Sequence, residues 1–137
     1  MAAPQEQFFS DVALIGLVAA VPGYHFCWLL NKHFGTSFRR DPEQNIPMQK
    51  KDNQYYFPIY QHTFPNSSNR YVLYKLKNGS ETLLPEARQL DYLLYAQTSC
   101  AEEDALFLAA QLKNIPDVQL AQIIDPDQLK NLNNLLL

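Results

Sequence analysis

The chain has 137 residues and a mass of 15.8 kDa, which suits one domain, and we treat residues 1–137 as a single domain. Its hydrophobic share of 47% and charged share of 18% exclude a disordered or a collagen-like protein. The net charge of −3 conceals an uneven distribution, because residues 32–88 carry nine Lys or Arg and five Asp or Glu, whereas residues 89–137 carry two and seven. A basic middle suits an anionic partner, but a nucleic-acid-binding domain usually has a basic overall balance.

Apolar runs, turn residues and helix signals divide the chain into nine elements between two expected tails, residues 1–7 and 127–137. The alternative for residues 127–137 is a last turn of helix that packs back on the domain. In chain order, they are a strand over 8–20, a helix over 24–34, strands over 37–40, 55–64, 70–77, 81–84 and 89–97, a helix over 99–113, and a strand over 118–124. Asn78-Gly79 indicates a hairpin, and Ser99 with Glu102 matches a helix capping box.

The order β-α-β-β-β-β-β-α-β predicts the α+β class, with a single mixed, mostly antiparallel sheet and two packed helices. Strands 89–97 and 118–124 are joined by a helix, so we expect them to run parallel if they share the sheet. Pro58 interrupts strand 55–64, which favours an edge strand or a bulge there.

Residues 12–30 contain no Asp, Glu, Lys or Arg, and a run of this length raises the question of a membrane span. Pro22-Gly23 divides the run, and no Lys or Arg precedes Lys32, as a secretory signal would require. The two cysteines, Cys27 and Cys100, form no C-x-x-C pair and are expected to be reduced thiols. We therefore expect a cytoplasmic protein that does not enter the membrane.

The string LPEARQLDY at 84–92 combines a strand-ending proline with two acidic residues. Its signature positions are Leu84, Pro85, Glu86, Leu90, Asp91 and Tyr92. Asp91 falls on an otherwise apolar strand face, where a carboxylate needs hydrogen-bond donors. We expect Asp91 to fix a loop or a helix N-terminus, and Glu86 to pair with an Arg or a backbone amide. A catalytic or metal-binding carboxylate pair is the alternative, although no third ligand stands at a suitable spacing.

This string resembles the signature of the IPExxxVDY family of Bacteroidota proteins, with Leu84 in place of Ile and Leu90 in place of Val. Residues 14–16, 27–32 and 115–119 also resemble that family, so the resemblance extends along nearly the whole chain. It implies a small cytoplasmic protein of an uncharacterised family, without assigned catalytic or binding residues.

Other candidate chemistry is sparse. His25 and His33 are two helical turns apart, which is not the spacing that chelates one metal ion. Cys27 lies in an apolar helix and is expected to be buried, and the glycines are isolated, so no phosphate-binding loop is indicated. We therefore assign no catalytic residue, no metal site and no cofactor.

Aromatic residues are frequent on strands 55–64 and 70–77, and Lys and Arg residues flank them. The candidate binding face consists of Tyr60, Arg70, Tyr71, Tyr74, Lys75 and Lys77. Such a face suits a protein partner, or it could stack the bases of single-stranded RNA, whereas an ordinary sheet core has the same composition.

We expect a non-enzymatic binding or adaptor protein that contacts an unknown protein partner or a second copy of itself. An accessory RNA-binding protein is the second hypothesis, and an unrecognised enzyme using Glu86 and Asp91 is the third. Exposure of Tyr60, Tyr71 and Tyr74 beside the lysines would support RNA binding. An open pocket shared by Glu86 and Asp91 would support the enzyme.

Overall fold

The computed structural model describes residues 11–40 and 42–135, so the expected tail at 1–7 lies outside the described residues. The strands are β1 (Val12–Val18), β2 (Arg39–Arg40), β3 (Ile46–Lys50), β4 (Asn53–Phe57), β5 (Ile59–Thr63), β6 (Arg70–Lys75), β7 (Lys77–Asn78), β8 (Glu81–Thr82), β9 (Tyr92–Gln97) and β10 (Leu120–Ile124). The α-helices are α1 (Gly23–Phe34) and α2 (Ala101–Leu112), and short 3₁₀ turns include Pro85–Ala87, Pro126–Gln128 and Leu132–Leu135.

Six strands form the main sheet in the order β10-β1-β9-β6-β5-β2, and every neighbouring pair described is antiparallel. The α+β class with two helices and a mainly antiparallel sheet is therefore confirmed. β9 and β10 do run parallel to each other, as expected, but β1 lies between them and pairs with both. The single sheet of the prediction is joined by two small ones, β3–β4 and β7–β8.

The sheet is covered on both faces. On one face, α1 and α2 place Phe26, Leu30, Leu108 and Leu112 against Ile15 and its neighbours on the strands. The near-continuous apolar run of β1 follows from this arrangement, because a central strand in a sheet covered on both sides has no solvent face.

The C-terminal segment after β10 covers much of the second face. Leu129, Leu132 and Leu135 are buried there among Leu14, Leu93 and other strand residues. The described part of the expected tail at 127–137 is therefore part of the core. The sequence pattern was ambiguous at this point, because short 3₁₀ turns show no helical periodicity.

Helix α2 begins differently from the prediction. Its N-cap is Cys100 rather than Ser99, and the Cys100 side chain makes no capping hydrogen bond. Thr98 performs the local tethering instead, because its hydroxyl accepts from the Cys100 amide at 3.2 Å and donates to the Asp104 carboxylate at 2.6 Å. The capping-box assignment of Ser99 and Glu102 was therefore wrong, and the linked residues are Thr98 and Asp104.

Candidate functional site

The signature string lies at the junction of the main sheet and the C-terminal segment. Its 3₁₀ turn, Pro85–Ala87, connects β8 to the strand β9, which begins at Tyr92 rather than at residue 89. Leu84, Leu90 and Tyr92 are buried, whereas Pro85 and Glu86 are exposed. The aliphatic and aromatic positions of the signature therefore belong to the core.

Asp91 stands immediately before β9 and binds two other parts of the chain. Its carboxylate accepts a hydrogen bond from the Ala19 amide at 2.9 Å and another from the Lys77 ammonium group at 2.9 Å. The backbone of Asp91 adds bonds from its amide to the Leu17 carbonyl and from the Leu76 amide to its own carbonyl. This residue thus fastens the chain after β1 and the chain after β6 to the start of β9.

Glu86 binds the C-terminal segment. One carboxylate oxygen, Oε2, accepts from the amides of Lys130 and Asn131 at 3.2 and 3.1 Å, and from the Asn131 side-chain amide at 2.7 Å. Asn134 adds a bond from its side-chain amide to the Leu83 carbonyl at 2.8 Å. These contacts hold the segment that covers the second face of the sheet.

Glu86 and Asp91 do not share a pocket. Asp91 lines a shallow cavity of about 210 Å³ together with Lys75, Lys77 and Tyr92, and Glu86 is not among the described residues that line it. The two carboxylates are separate, and each has hydrogen-bond donors of its own. The enzyme hypothesis required Glu86 and Asp91 to line one open pocket, and this arrangement is not found.

Tyr92 is buried in the core and lines the same cavity as Asp91. Its hydroxyl donates to the Val21 carbonyl, and its ring centroid lies 4.6 Å from that of Phe26. Burial is the main cause that raises the pKa of Tyr92, and the neighbouring Tyr60 and Asp91 act in the same direction. The hydroxyl therefore remains a neutral donor that fixes the chain just before α1.

The candidate binding face is not one exposed surface. Tyr60 is 7% exposed and Tyr74 is 3% exposed, and they lie on opposite sides of the sheet. The Tyr74 hydroxyl donates to the Leu135 carbonyl at 2.9 Å, and Lys77 is paired with Asp91. Tyr71 is half-buried against the helical side. Tyr60 and Tyr74 are therefore not free to stack bases, and the six residues do not form the single exposed face that was expected.

The other two basic residues of that face, Arg70 and Lys75, lie against neighbouring groups of the same chain. The Arg70 Nε atom donates to the Gln97 side chain at 3.2 Å, and its guanidinium carbon lies 5.9 Å from the Tyr95 ring centroid. Lys75 is half-buried and lines the Asp91 cavity. The error arose because successive strand residues point to opposite faces, and both faces of this sheet are covered.

His62 belongs to an aromatic cluster with Phe38, Phe64 and Tyr71, whose ring centroids lie 4.7 to 6.3 Å apart. Its Nδ1 atom accepts from the Ser37 amide at 3.0 Å, and burial lowers the pKa of His62. A neutral imidazole thus holds the loop after α1 against the sheet, a role that the sequence pattern did not indicate.

The remaining candidate groups form no reactive centre. Burial raises the pKa of the Cys27 thiol to about 12, so it is not a thiolate nucleophile at neutral pH. His25 stacks on Trp28 and lies 3.8 Å from an Asp117 carboxylate oxygen. Across residues 11–40 and 42–135, no group of three or more His, Cys, Asp or Glu is placed to hold a metal ion.

An exposed apolar surface lies at the β10 end of the sheet. We call it the β10 edge surface, and its large exposed side chains are Leu106 and Ile123 on the α2 side of the sheet and Leu120, which strand alternation places on the opposite face of β10. Leu106 and Ile123 line a groove of about 330 Å³ between α2 and the strands β1 and β10, whose walls are mostly apolar and include Glu102. Leu106 and Phe107 are apolar but fall outside the buried stripe of α2, so the sequence already indicated exposed apolar side chains on this helix.

The two ends of the sheet differ in character. Among the described strands, β10 has a neighbour on one side only, and its residues Leu-Ala-Gln-Ile-Ile include no charge and no proline. At the opposite end, β2 consists of the exposed Arg39 and Arg40. A second exposed group lies on α1, where the Lys32 ammonium group sits 5.0 Å from the Trp28 ring centroid.

Within the described residues, no helix has both the length and the apolar character needed to cross a membrane. No protein-family model matches the chain, and neither the curated proteins nor the solved structures contain a significant match.

Proposed function

We propose that the chain is a non-enzymatic protein-binding module that contacts its partner through the β10 edge surface. The observation that carries this proposal is the character of β10, a strand edge that has neither charge nor proline and is flanked by exposed aliphatic side chains. Open edges pair readily with other strands, and natural proteins usually protect them with charged residues, proline or a covering element.

The difference between the two sheet ends supports this assignment. The arginines of β2 oppose the approach of another strand, whereas β10 offers backbone donors and acceptors with apolar side chains beside them. Strand addition to such an edge gains main-chain hydrogen bonds and buries the neighbouring side chains. Contiguous apolar groups on a surface commonly mark protein interaction sites.

The proposal keeps the function expected from the sequence and changes its location on the molecule. The aromatic face is replaced, because its rings are part of the core or half-buried. A cytoplasmic location and membership of the IPExxxVDY family, both expected from the sequence, belong to the same proposal.

The test is affinity capture from a cytoplasmic extract with the wild-type chain and Ile123→Lys as baits, with and without nuclease. Tyr56→Lys is the matched control, because Tyr56 is 52% exposed, compared with 43% for Ile123, but lies on β4, outside the β10 edge surface. We expect a protein, which can be the untagged chain itself, to be retained by the wild type and by Tyr56→Lys but lost with Ile123→Lys. Equal capture by Ile123→Lys, absence of any specific capture, or loss on nuclease treatment would refute the proposal.

A further inference from the structure

We propose that the partner at the β10 edge surface is a second copy of this chain, joined by antiparallel β10–β10 pairing about a two-fold axis at Gln122. This inference rests on the proposed function, because it names the occupant of the same surface. The pairing would extend the six-stranded sheet continuously across both copies. It is isologous, so the same residues serve both sides of the interface and the assembly closes as a dimer.

The side chains of β10 are complementary to themselves in this register. Gln122 faces Gln122 of the second copy, Ala121 faces Ile123, and Leu120 faces Ile124, so all five residues of the strand are paired. The exposed Ile123 lies opposite a small Ala121 on the α2 side of the sheet. Shifting the register by two residues would place Asp125 or Gln119 opposite an aliphatic residue, which favours the register centred on Gln122.

The helical layer fits the same axis. Helix α2 packs mainly on β1 and β10. Because neighbouring strands are about 4.8 Å apart, a helix over these two strands lies roughly 5 Å from the axis. The two copies of α2 would then lie about 10 Å apart, at the upper end of the usual helix-packing distance. Leu106 and Ile123, which line one groove, would meet their symmetry equivalents there.

The charges near the edge also suit a second copy. A two-fold axis perpendicular to the sheet makes the two α2 helices antiparallel. The acidic first turn, with Glu102 and Glu103, then lies toward the last turn of the other helix, which is followed by Lys113. This arrangement favours both helix dipoles. A strongly charged peptide would find no opposite charge on β10 itself. A second copy of β10 is uncharged as well and needs no opposite charge on its partner strand.

Sedimentation equilibrium of the purified chain tests the assembly. We expect a mass of twice 15.8 kDa for the wild type and for the Tyr56→Lys control. Ile123→Lys should raise the dimer dissociation constant by at least about tenfold, because it places a lysine beside each copy's strand. Circular dichroism of each variant verifies folding. A wild-type chain that is monomeric at all concentrations, or a dimer unaffected by Ile123→Lys, would overturn the inference.

Disulfide trapping tests the register in a Cys100→Ser background, since Cys100 is the exposed thiol of the two. Facing residues of antiparallel strands have Cα atoms about 4.5–5.5 Å apart, within the range of a disulfide. Gln122→Cys should therefore oxidise to a covalent dimer, whereas Gln54→Cys on β4 should not. Failure of Gln122→Cys to link a chain that is otherwise dimeric contradicts this pairing.

The two proposals fail separately. A monomeric wild type that still captures another protein through Ile123 overturns the second copy as the partner and leaves the binding function intact. A monomeric wild type that captures nothing refutes both.

Discussion

Replacement of Asp91 by alanine tests what the signature carboxylate contributes to the fold. The change removes the acceptor of the Ala19 amide and the ion pair with Lys77. A hydrogen bond to a charged group is worth about 1.5–3 kcal/mol. The Lys77 side chain is 40% exposed, so solvent screening limits the ion pair to about 0.2–1 kcal/mol. We therefore expect Asp91→Ala to lower the free energy of unfolding by about 2–4 kcal/mol.

The measurement is urea unfolding monitored by circular dichroism. The urea concentrations at the unfolding midpoint are compared between variants that have the same dependence of the unfolding free energy on urea. Lys77→Ala should cost less than about 1 kcal/mol, because it removes only the screened ion pair. Asp91→Asn is the matched control, since its amide oxygen can still accept from Ala19, and it should retain most of the stability. Equal losses for Asp91→Ala and Lys77→Ala would show that the ion pair dominates and would refute this reasoning.

Three further substitutions or conditions test other parts of the structure. Leu132→Ala should destabilise the chain by about 2–5 kcal/mol in urea unfolding, because Leu132 is fully buried. Gly23→Ala should cost about 1–3 kcal/mol by the same measurement, because a Cβ there would lie 2.9 Å from the Tyr60 Cζ atom and even closer to its hydroxyl. The lowered pKa of His62 means that its stabilising effect is present above its unfolded pKa of about 6.5 and is lost as the pH falls through its folded value. Thermal melts between pH 7.5 and 4.5 should show this loss, and His62→Gln should reduce it.

Each of these expectations has a clear contrary result. Asn133, beside Leu132, is exposed, so Asn133→Ala should change stability by less than about 0.5 kcal/mol. Equal effects at positions 132 and 133 would contradict a packed C-terminal segment. A neutral Gly23→Ala would show that the Tyr60 ring can move aside. An unchanged pH profile in His62→Gln would show that other groups control acid stability.

Elements that depend on neighbouring residues were predicted correctly from the sequence. The helix predicted over 24–34 is α1, and Gly35 ends it with a φ of 67°, in the left-handed region that glycine favours. The hairpin signal at Asn78-Gly79 marks the turn between β7 and β8. Such features depend on a few adjacent residues, so the sequence contains all the information that they need.

Features that depend on distant segments were not predictable in the same way. Nothing in β1 itself indicates that it separates β9 from β10. The prediction of an aromatic binding face went astray for a related reason. The alternation of side chains along a strand assigns residues to two faces of the sheet, but it does not show what covers each face. The β10 edge surface was missed because exposure of Leu106 and Ile123 depends on where the sheet ends.

The position of β1 has a consequence for how the chain folds. Its pairing partners, Tyr92–Gln97 and Leu120–Ile124, are among the last strands to be synthesised. The apolar segment Val12–Val18 must therefore wait for most of the chain before its backbone is paired. Pairings of such long sequence separation slow folding and leave unpaired apolar strands open to aggregation during that interval. We expect slow refolding and a marked dependence of its yield on protein concentration.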